Sequence, residues 1–131
     1  MARRAINSPE YDVPIEGFSH VIVGEPGETT LYVSGLTSRT ADGTIVGVGD
    51  MAAQARQVME NMRNILATAG ASLDDVHQIR TYVTDISLWV SIEPVWREYW
   101  SEHWPASTLV EIARLFDERQ MIEMEAIARI R

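Results

Sequence analysis

The chain has 131 residues and a mass of 14.7 kDa, which suffices for one domain with its own core and leaves little room for a second. Its 11 basic and 19 acidic residues give a formal net charge of −8, which argues against a protein whose main task is to bind nucleic acid. The absence of cysteine excludes disulfides, thiol nucleophiles and thiolate metal sites. Since no run of about 18 apolar residues occurs, we expect a cytoplasmic protein with no membrane partner.

No linker, repeat or low-complexity tract interrupts the chain, so a single domain is predicted over residues 1–131. Residues 1–16 contain Pro9 and Pro14 and show no sustained hydrophobic period. They are predicted to form an N-terminal arm that lies on the body or on a neighbouring molecule and ends near Gly17.

Strand patterns follow the arm. Residues 18–23 and 30–36 have strand composition, and the Gly- and Pro-rich stretch between them predicts a hairpin. Residues 44–48 form a short apolar run after an Asp-Gly turn, which indicates a third, edge-type strand or an extended loop.

The hydrophobic period then changes to that of a helix. From Met51 to Ala69, apolar residues recur three or four positions apart, with Asp50 as the predicted N-cap and Gly70 as the predicted residue after the C-cap. The predicted buried stripe consists of Met51, Ala55, Val58, Met59, Met62, Ile65, Leu66 and Ala69. The predicted solvent face carries Gln54, Arg56, Gln57, Glu60, Arg63 and Asn64.

The remaining elements alternate between strand and helix. A strand is predicted over residues 76–84, with Ile79, Thr81 and Val83 on one face. A helix follows over about residues 91–103, with Pro94 in its first turn. Two strands, residues 107–115 and 121–129, complete the order β-β-(β)-α-β-α-β-β.

This order predicts an α+β fold in which two helices cover one face of a mixed sheet. The other face would be uncovered and partly apolar. Because such a face commonly marks a partner surface, we expect a homo-oligomer.

Histidine and tryptophan give few functional signals. His20, His77 and His103 lack metal-ligand spacing, so no metal site is expected. Trp96 and Trp100, four residues apart on the second helix, are predicted to pack in the core. Trp89 and Trp104 flank that helix and are freer to line a pocket or an intersubunit seam.

The last strand carries a pair of acidic residues. Glu123 and Glu125 lie two positions apart, so both point to one face while Ile122, Met124 and Ala126 point to the other. Two adjacent like charges repel, which disfavours ionisation of both carboxyl groups at once. A pair of carboxyl groups of this kind is suited to general acid or base chemistry. The alternative is a solvated strand face, or an ion pair with an arginine such as Arg114.

Several segments together resemble the YjgF/RidA family. They are LYVSG at 31–35, the helix at 52–76, RTYVTDI at 80–86, PASTLVEIARL at 105–115 and IEMEAIA at 122–128. The resemblance runs from about residue 17 to the end and implies a chorismate-mutase-like subunit. It also implies a homotrimer whose sheets form a central β-barrel, with three clefts between subunits. In the best-known branch, these clefts hydrolyse enamines and imines derived from amino acids without metal or organic cofactor.

The resemblance also assigns site residues. It implies that Glu123 is the acidic catalytic residue and that Ser34, with Gly35, lines the substrate site. The family arginine that clamps a substrate carboxylate is replaced by Ser107, and the family tyrosine hydroxyl is lost at Phe18.

One further stretch is similar to another branch. SGLTSR at 34–39 resembles the corresponding part of 2-aminomuconate deaminase, which implies a cationic contact from Arg39. A solvated loop residue is the alternative for Arg39. The sequence leaves open whether Arg39, Arg97 or Arg114 takes the place of the missing arginine.

Two functions therefore compete. The first is a cofactor-free, hydrolytic deaminase in which Glu123 activates water or moves a proton, while Ser34 and Ser107 hydrogen-bond the ligand. The second is a trimeric ligand-binding or regulatory protein that kept the cleft and lost the reaction, so enzyme activity is left open. Ribonuclease activity, attached to some family members, is disfavoured by the charge of −8.

Overall fold

The computed structural model describes residues 3–11, 18–100 and 104–131. In chain order, the elements are β1 (Arg4–Ile6), β2 (Val21–Val23), β3 (Thr29–Leu36), α1 (Met51–Thr68), β4 (Val76–Val83), α2 (Trp89–Tyr99), β5 (Ala106–Glu111) and β6 (Ile122–Ile130). Short 3₁₀ turns, Leu73–Asp75 and Ile86–Leu88, precede β4 and α2. The predicted α+β class with two helices and a mixed sheet is confirmed.

The four longest strands form one sheet in the order β3-β6-β4-β5. β4 and β5 are parallel, as the crossover through α2 requires, and the other neighbours are antiparallel. One sheet face packs with both helices around the core and buries Ile79, Thr81, Val83, Ile122, Met124 and Ala126, as the alternation predicted. The opposite face, called here the open face, carries Tyr32, Arg80, Tyr82, Glu123 and Glu125.

Helix α1 forms where the sequence predicts it. The Asp50 side chain accepts a hydrogen bond from Ala53 N at 3.1 Å, which satisfies one of the unpaired amides of the first turn. Gly70 adopts a φ of 75°, and Ala71 N donates to Leu66 O at 2.9 Å, so the chain leaves the helix by a glycine turn.

Replacing Asp50 with Ala is expected to lower the free energy of unfolding by about 1 kcal/mol, because the amide of Ala53 loses its capping acceptor. Chemical denaturation followed by circular dichroism measures the effect. Asp50→Asn, which keeps an acceptor oxygen, serves as the control and should be nearly neutral. Equal losses in both variants would show that the cap does not act through this hydrogen bond.

The predicted stripe of α1 needs three corrections. Gln54 was placed on the solvent face, but it is fully buried, with Nε2 donating to Gly47 O and Arg119 O and Oε1 accepting from Met121 N. Its polar atoms are satisfied by backbone groups, which permits burial. Ile65 and Ala69 are predicted in the buried stripe, but Ile65 is 43% exposed, and Ala69 is an exposed residue at the C-cap, where the helix ends.

The predicted hairpin is wrong. β2 pairs with β1 in a separate two-stranded antiparallel sheet, while β3 pairs with β6. The turn signal between β2 and β3 indicates a change of direction, but strand partners are set by long-range contacts that a local pattern does not contain. Within residues 44–48, Ile45 makes only an isolated bridge with Arg39, so this segment is a loop.

The N-terminal arm contains a strand that the sequence did not indicate. Arg3, which precedes β1, is buried, donates from Nη2 to Leu73 O at 2.8 Å and lies 5.7 Å from the Trp100 ring centroid. Burial lowers the pKa of Arg3 to about 10. Arg3 therefore fastens the arm to the body, whereas the predicted end of the arm at Gly17 lies outside the described residues.

Other boundaries shift by a few residues. α2 begins at Trp89, two residues earlier than predicted, so Pro94 lies inside the helix and not in its first turn. Pro94 cannot donate a hydrogen bond to the carbonyl of Val90, a residue that is 77% exposed. β5 ends at Glu111, four residues early, and the predicted helix end at His103 lies outside the described residues.

Candidate functional site

A groove of about 700 Å³ runs along the outer edge of β5. It is called here the β5 groove and is lined by Tyr11, Phe18, Ser19, His20, Gln78, Trp89, Glu93, Trp96, Arg97 and residues 106–109. Its volume lies within the range of sites that hold small organic ligands. Two of the predicted binding residues, Phe18 and Ser107, are therefore in the same cavity.

The segment before β2 builds one wall of this groove. Ser19 forms a parallel bridge with Ala106, its amide donates to Pro105 O at 3.1 Å, and its hydroxyl donates to Trp104 O at 2.7 Å. Ser19 is buried, and its neighbours Phe18 and His20 are half-buried, with ring centroids 5.8 Å apart. These backbone contacts fix Phe18 at the groove without a regular strand.

Helix α2 supplies an aromatic wall. Trp96 is almost fully buried and continues inward to Trp100, at a centroid distance of 5.7 Å, so the predicted core packing of both is confirmed. Trp89 is half-buried and packs 5.8 Å from Trp96 at the groove. Of the two tryptophans predicted to line a pocket, Trp89 does so, while Trp104 packs against the core.

The other predicted residues lie on the open face. A β-bulge between Val33 and Leu36 shifts the pairing of β3 with β6 at Ser34 and Gly35. A Cβ at position 35 would lie 2.8 Å from Glu123 Oε2, so glycine leaves room for the carboxylate in the position that it takes over the strand. Gly35 and Glu123 are thus brought together, and Ser34 precedes Gly35 in the bulge.

Glu125 has a different environment from Glu123. Its carboxylate accepts a hydrogen bond from the Tyr82 hydroxyl, and its Oε1 lies 3.8 Å from Arg80 Nη1. The hydrogen bond to Glu125 raises the pKa of Tyr82. The ion-pair partner is thus Arg80 of β4 and not Arg114, which fits a structural role for Glu125.

The Glu123 and Ser107 side chains point to opposite sides of the sheet. Glu123 is in register with Tyr82 of β4, and Ser107 is in register with Ile79, three residues away along the same strand. Because Ile79 belongs to the core, Ser107 is on the helix side, whereas Glu123 is on the open face. β6 and β5 flank β4, which separates them by about 10 Å. One subunit therefore does not bring these two side chains to one point.

Arg39 belongs to neither group. It is exposed in the loop after β3, and its carbonyl accepts a hydrogen bond from Asn61 Nδ2 at 2.7 Å. Its charge, after a larger effect from Arg119, helps to lower the pKa of Asp117. The structure therefore places Arg39 beside the turn before β6, apart from the β5 groove.

Metal-binding side chains are dispersed. In the part of the chain that the structure describes, no group of three His, Asp or Glu residues could hold a metal ion. His20 Nδ1 accepts a hydrogen bond from Ser8 N at 3.0 Å, and burial lowers the pKa of His77. Over the same residues, neither helix is long and apolar enough to cross a bilayer.

Some groove residues were missed by sequence reasoning. Gln78, His20 and Glu93 line the groove although no motif marks them. Arg97 was one of three candidates for a replacement cation, and it alone of the three lines the groove. Glu93 and Arg97 are four residues apart on a helix, and this spacing predicts an ion pair that orients the Arg97 guanidinium.

Comparison with known proteins assigns the family. A family model described as Endoribonuclease L-PSP matches residues 9–130. A RutC family protein of Pyrococcus abyssi is 35% identical over 129 residues, which cover 98% of this chain and 98% of that protein. The chain belongs to the YjgF/RidA family.

Two further comparisons give a relative with a named activity and a solved structure. A 3-aminoacrylate deaminase, RutC of Acinetobacter baylyi, is 34% identical over 103 residues, or 79% of this chain and 81% of that protein. The crystal structure of the Rid family protein YyfB from Yersinia pestis superposes with a TM-score of 0.88. It is 31% identical and covers 99% of this chain and 100% of its own. The YjgF/RidA fold thus extends over the whole described chain.

Proposed function

We propose that this YjgF/RidA protein is a cofactor-free deaminase that hydrolyses a small enamine or imine between subunits of a homotrimer. The observation that carries the proposal is that the predicted site residues fall into two groups on opposite sides of the sheet, neither of which is a complete site. Glu123 lies over Gly35 on the open face, while Ser107 lies in the β5 groove on the helix side. The name of the Acinetobacter relative, 3-aminoacrylate deaminase, supports the reaction class.

Assembly would join the two halves. On the open face, Tyr32 is 80% exposed and Val110 is 39% exposed. These side chains leave apolar surface that a neighbouring subunit would cover. In the proposed trimer the sheets face inward, and Glu123 of one subunit approaches the β5 groove of the next. Each cleft then contains one acidic wall and one aromatic wall.

The proposed reaction needs only water and proton transfer. An enamine first takes a proton on carbon and loses one from nitrogen to give the imine, and water then adds to the C=N carbon. One proton of the water moves through Glu123 to nitrogen as the C–O bond forms. The second moves from the new hydroxyl group to nitrogen, and the C–N bond breaks to release ammonia as the carbonyl forms. Ser34 and Ser107 donate hydrogen bonds to the polar end of the substrate.

A second candidate is a trimeric ligand-binding protein without catalysis. The observation that favours it is Ser107 in the groove, because a neutral hydroxyl cannot replace the fork-shaped contact of an arginine with a carboxylate. The nucleolytic activity in the name of the family model receives no support from a net charge of −8.

Two measurements test the proposal. Sedimentation velocity at micromolar concentration should give a trimer, and a monomer would overturn the intersubunit site. Purified protein should then accelerate ammonia release from 3-aminoacrylate or from 2-imino acids formed in situ by an amino-acid oxidase. A trimer that accelerates none of these reactions, yet retains a small molecule in its clefts, would establish the ligand-binding alternative instead.

A further inference from the structure

The β5 groove is more aromatic than a three-carbon substrate such as 3-aminoacrylate requires. Phe18 and Trp89 are half-buried, so part of each ring is accessible to a ligand. Trp96 supports Trp89 from behind at 5.8 Å. The surface therefore suits a flat, apolar group.

A positively charged group lies at the same cavity. Arg97 is the one arginine or lysine among the described residues that line the groove. Its Nη2 lies 2.8 Å from Glu93 Oε1, one helical turn earlier in α2, and both side chains are about half exposed. The ion pair orients the guanidinium at the groove, and the planar fork of a guanidinium matches the geometry of a carboxylate.

We infer that the groove selects a carboxylate that carries an aromatic or conjugated ring, with Arg97 contacting the carboxylate and Trp89 and Phe18 contacting the ring. This inference rests on the proposed function and names the substrate class of the same site. In this arrangement the positive charge is that of Arg97 on α2 and not of a residue on β5. Ser107 of β5, which lines the same groove, is then left to contact the body of the ligand.

Calorimetric titration of the intact protein with phenylacetate, acetate and 2-phenylacetamide tests this assignment. Phenylacetate should bind about tenfold more tightly than acetate, which lacks the ring, and than 2-phenylacetamide, which lacks the charge. Equal affinity for phenylacetate and its amide would overturn the role of a cation. Equal affinity for phenylacetate and acetate, or no phenylacetate binding at millimolar concentration, would overturn the ring site.

Variants identify the residues. Arg97→Gln should weaken phenylacetate binding about tenfold, Arg97→Lys less, and Trp89→Ala should remove the preference over acetate. Arg63→Gln, which alters a similar exposed ion pair with Glu60 on α1, should leave binding unchanged. Unaltered affinity in a folded Arg97→Gln protein would contradict the inference.

The outcome separates this inference from the deaminase proposal. Ammonia release from 3-aminoacrylate without phenylacetate binding would reject the ring-bearing substrate class and retain the enzyme. Phenylacetate binding without ammonia release from any enamine or imine would retain the ligand class and reject the reaction.

Discussion

Replacing Glu123 with Gln is expected to reduce kcat/KM for ammonia release by roughly 10²–10⁴, the contribution of a positioned general acid or base. Glutamine keeps the shape that fits over Gly35, so the strand and the trimer should be retained. It cannot take a proton from water or deliver one to nitrogen. Steady-state rates, together with sedimentation velocity on each variant, measure the effect.

Glu125→Gln is the matched control, because it makes the same change two residues along β6. Its carboxylate contacts Tyr82 and Arg80, so the substitution alters a structural cluster on the open face. We expect kcat/KM to change by about threefold or less. A large loss in both variants would indicate damage to the sheet, and an unaltered rate in Glu123→Gln would remove its catalytic role.

Replacing Gln54 with Leu is expected to lower the free energy of unfolding by about 3 kcal/mol. Gln54 is fully buried and links three backbone groups, the carbonyls of Gly47 and Arg119 and the amide of Met121. Leucine would leave all three groups without this partner in a part-buried environment. Urea denaturation with a linear extrapolation measures the loss.

The control for this variant is Gln57→Leu on the same helix. Gln57 is half-buried, and its Nε2 donates to the Asn61 side chain at 2.9 Å, an interaction with no backbone partner. Its loss should cost less than about 1 kcal/mol. Similar destabilisation in the two proteins would mean that leucine itself, and not the lost backbone contacts, lowers stability.

The parts of the fold that follow a strong period were predicted well. α1, β4 and β6 bury one face each, and their apolar residues repeat at the helical or strand spacing. β1 and the partner of β2 were not predicted, because their pairing depends on distant residues and on the burial of Arg3. The burial of Gln54 escaped prediction for the same reason: its partners are carbonyl and amide groups that sequence composition does not reveal.

The candidate site was only partly accessible from the sequence. The resemblance supplied Glu123 and Ser107, and strand alternation supplied the shared face of Glu123 and Glu125. The parallel register of β5 with β4, which puts Ser107 on the helix side, required the three-dimensional structure. So did the placement of Arg97 and Trp89 in one cavity, since both come from a helix whose start was predicted two residues late.

Glu123 lies on β6, an interior strand of the four-stranded sheet, whereas β5 is an edge strand with a groove beside it. Within one subunit, β4 lies between β5 and β6, so substitutions in β5 leave the contacts of Glu123 with its own chain unchanged. Natural variation in β5 can therefore alter which compound the groove accepts while the acidic residue proposed to transfer the proton stays in place.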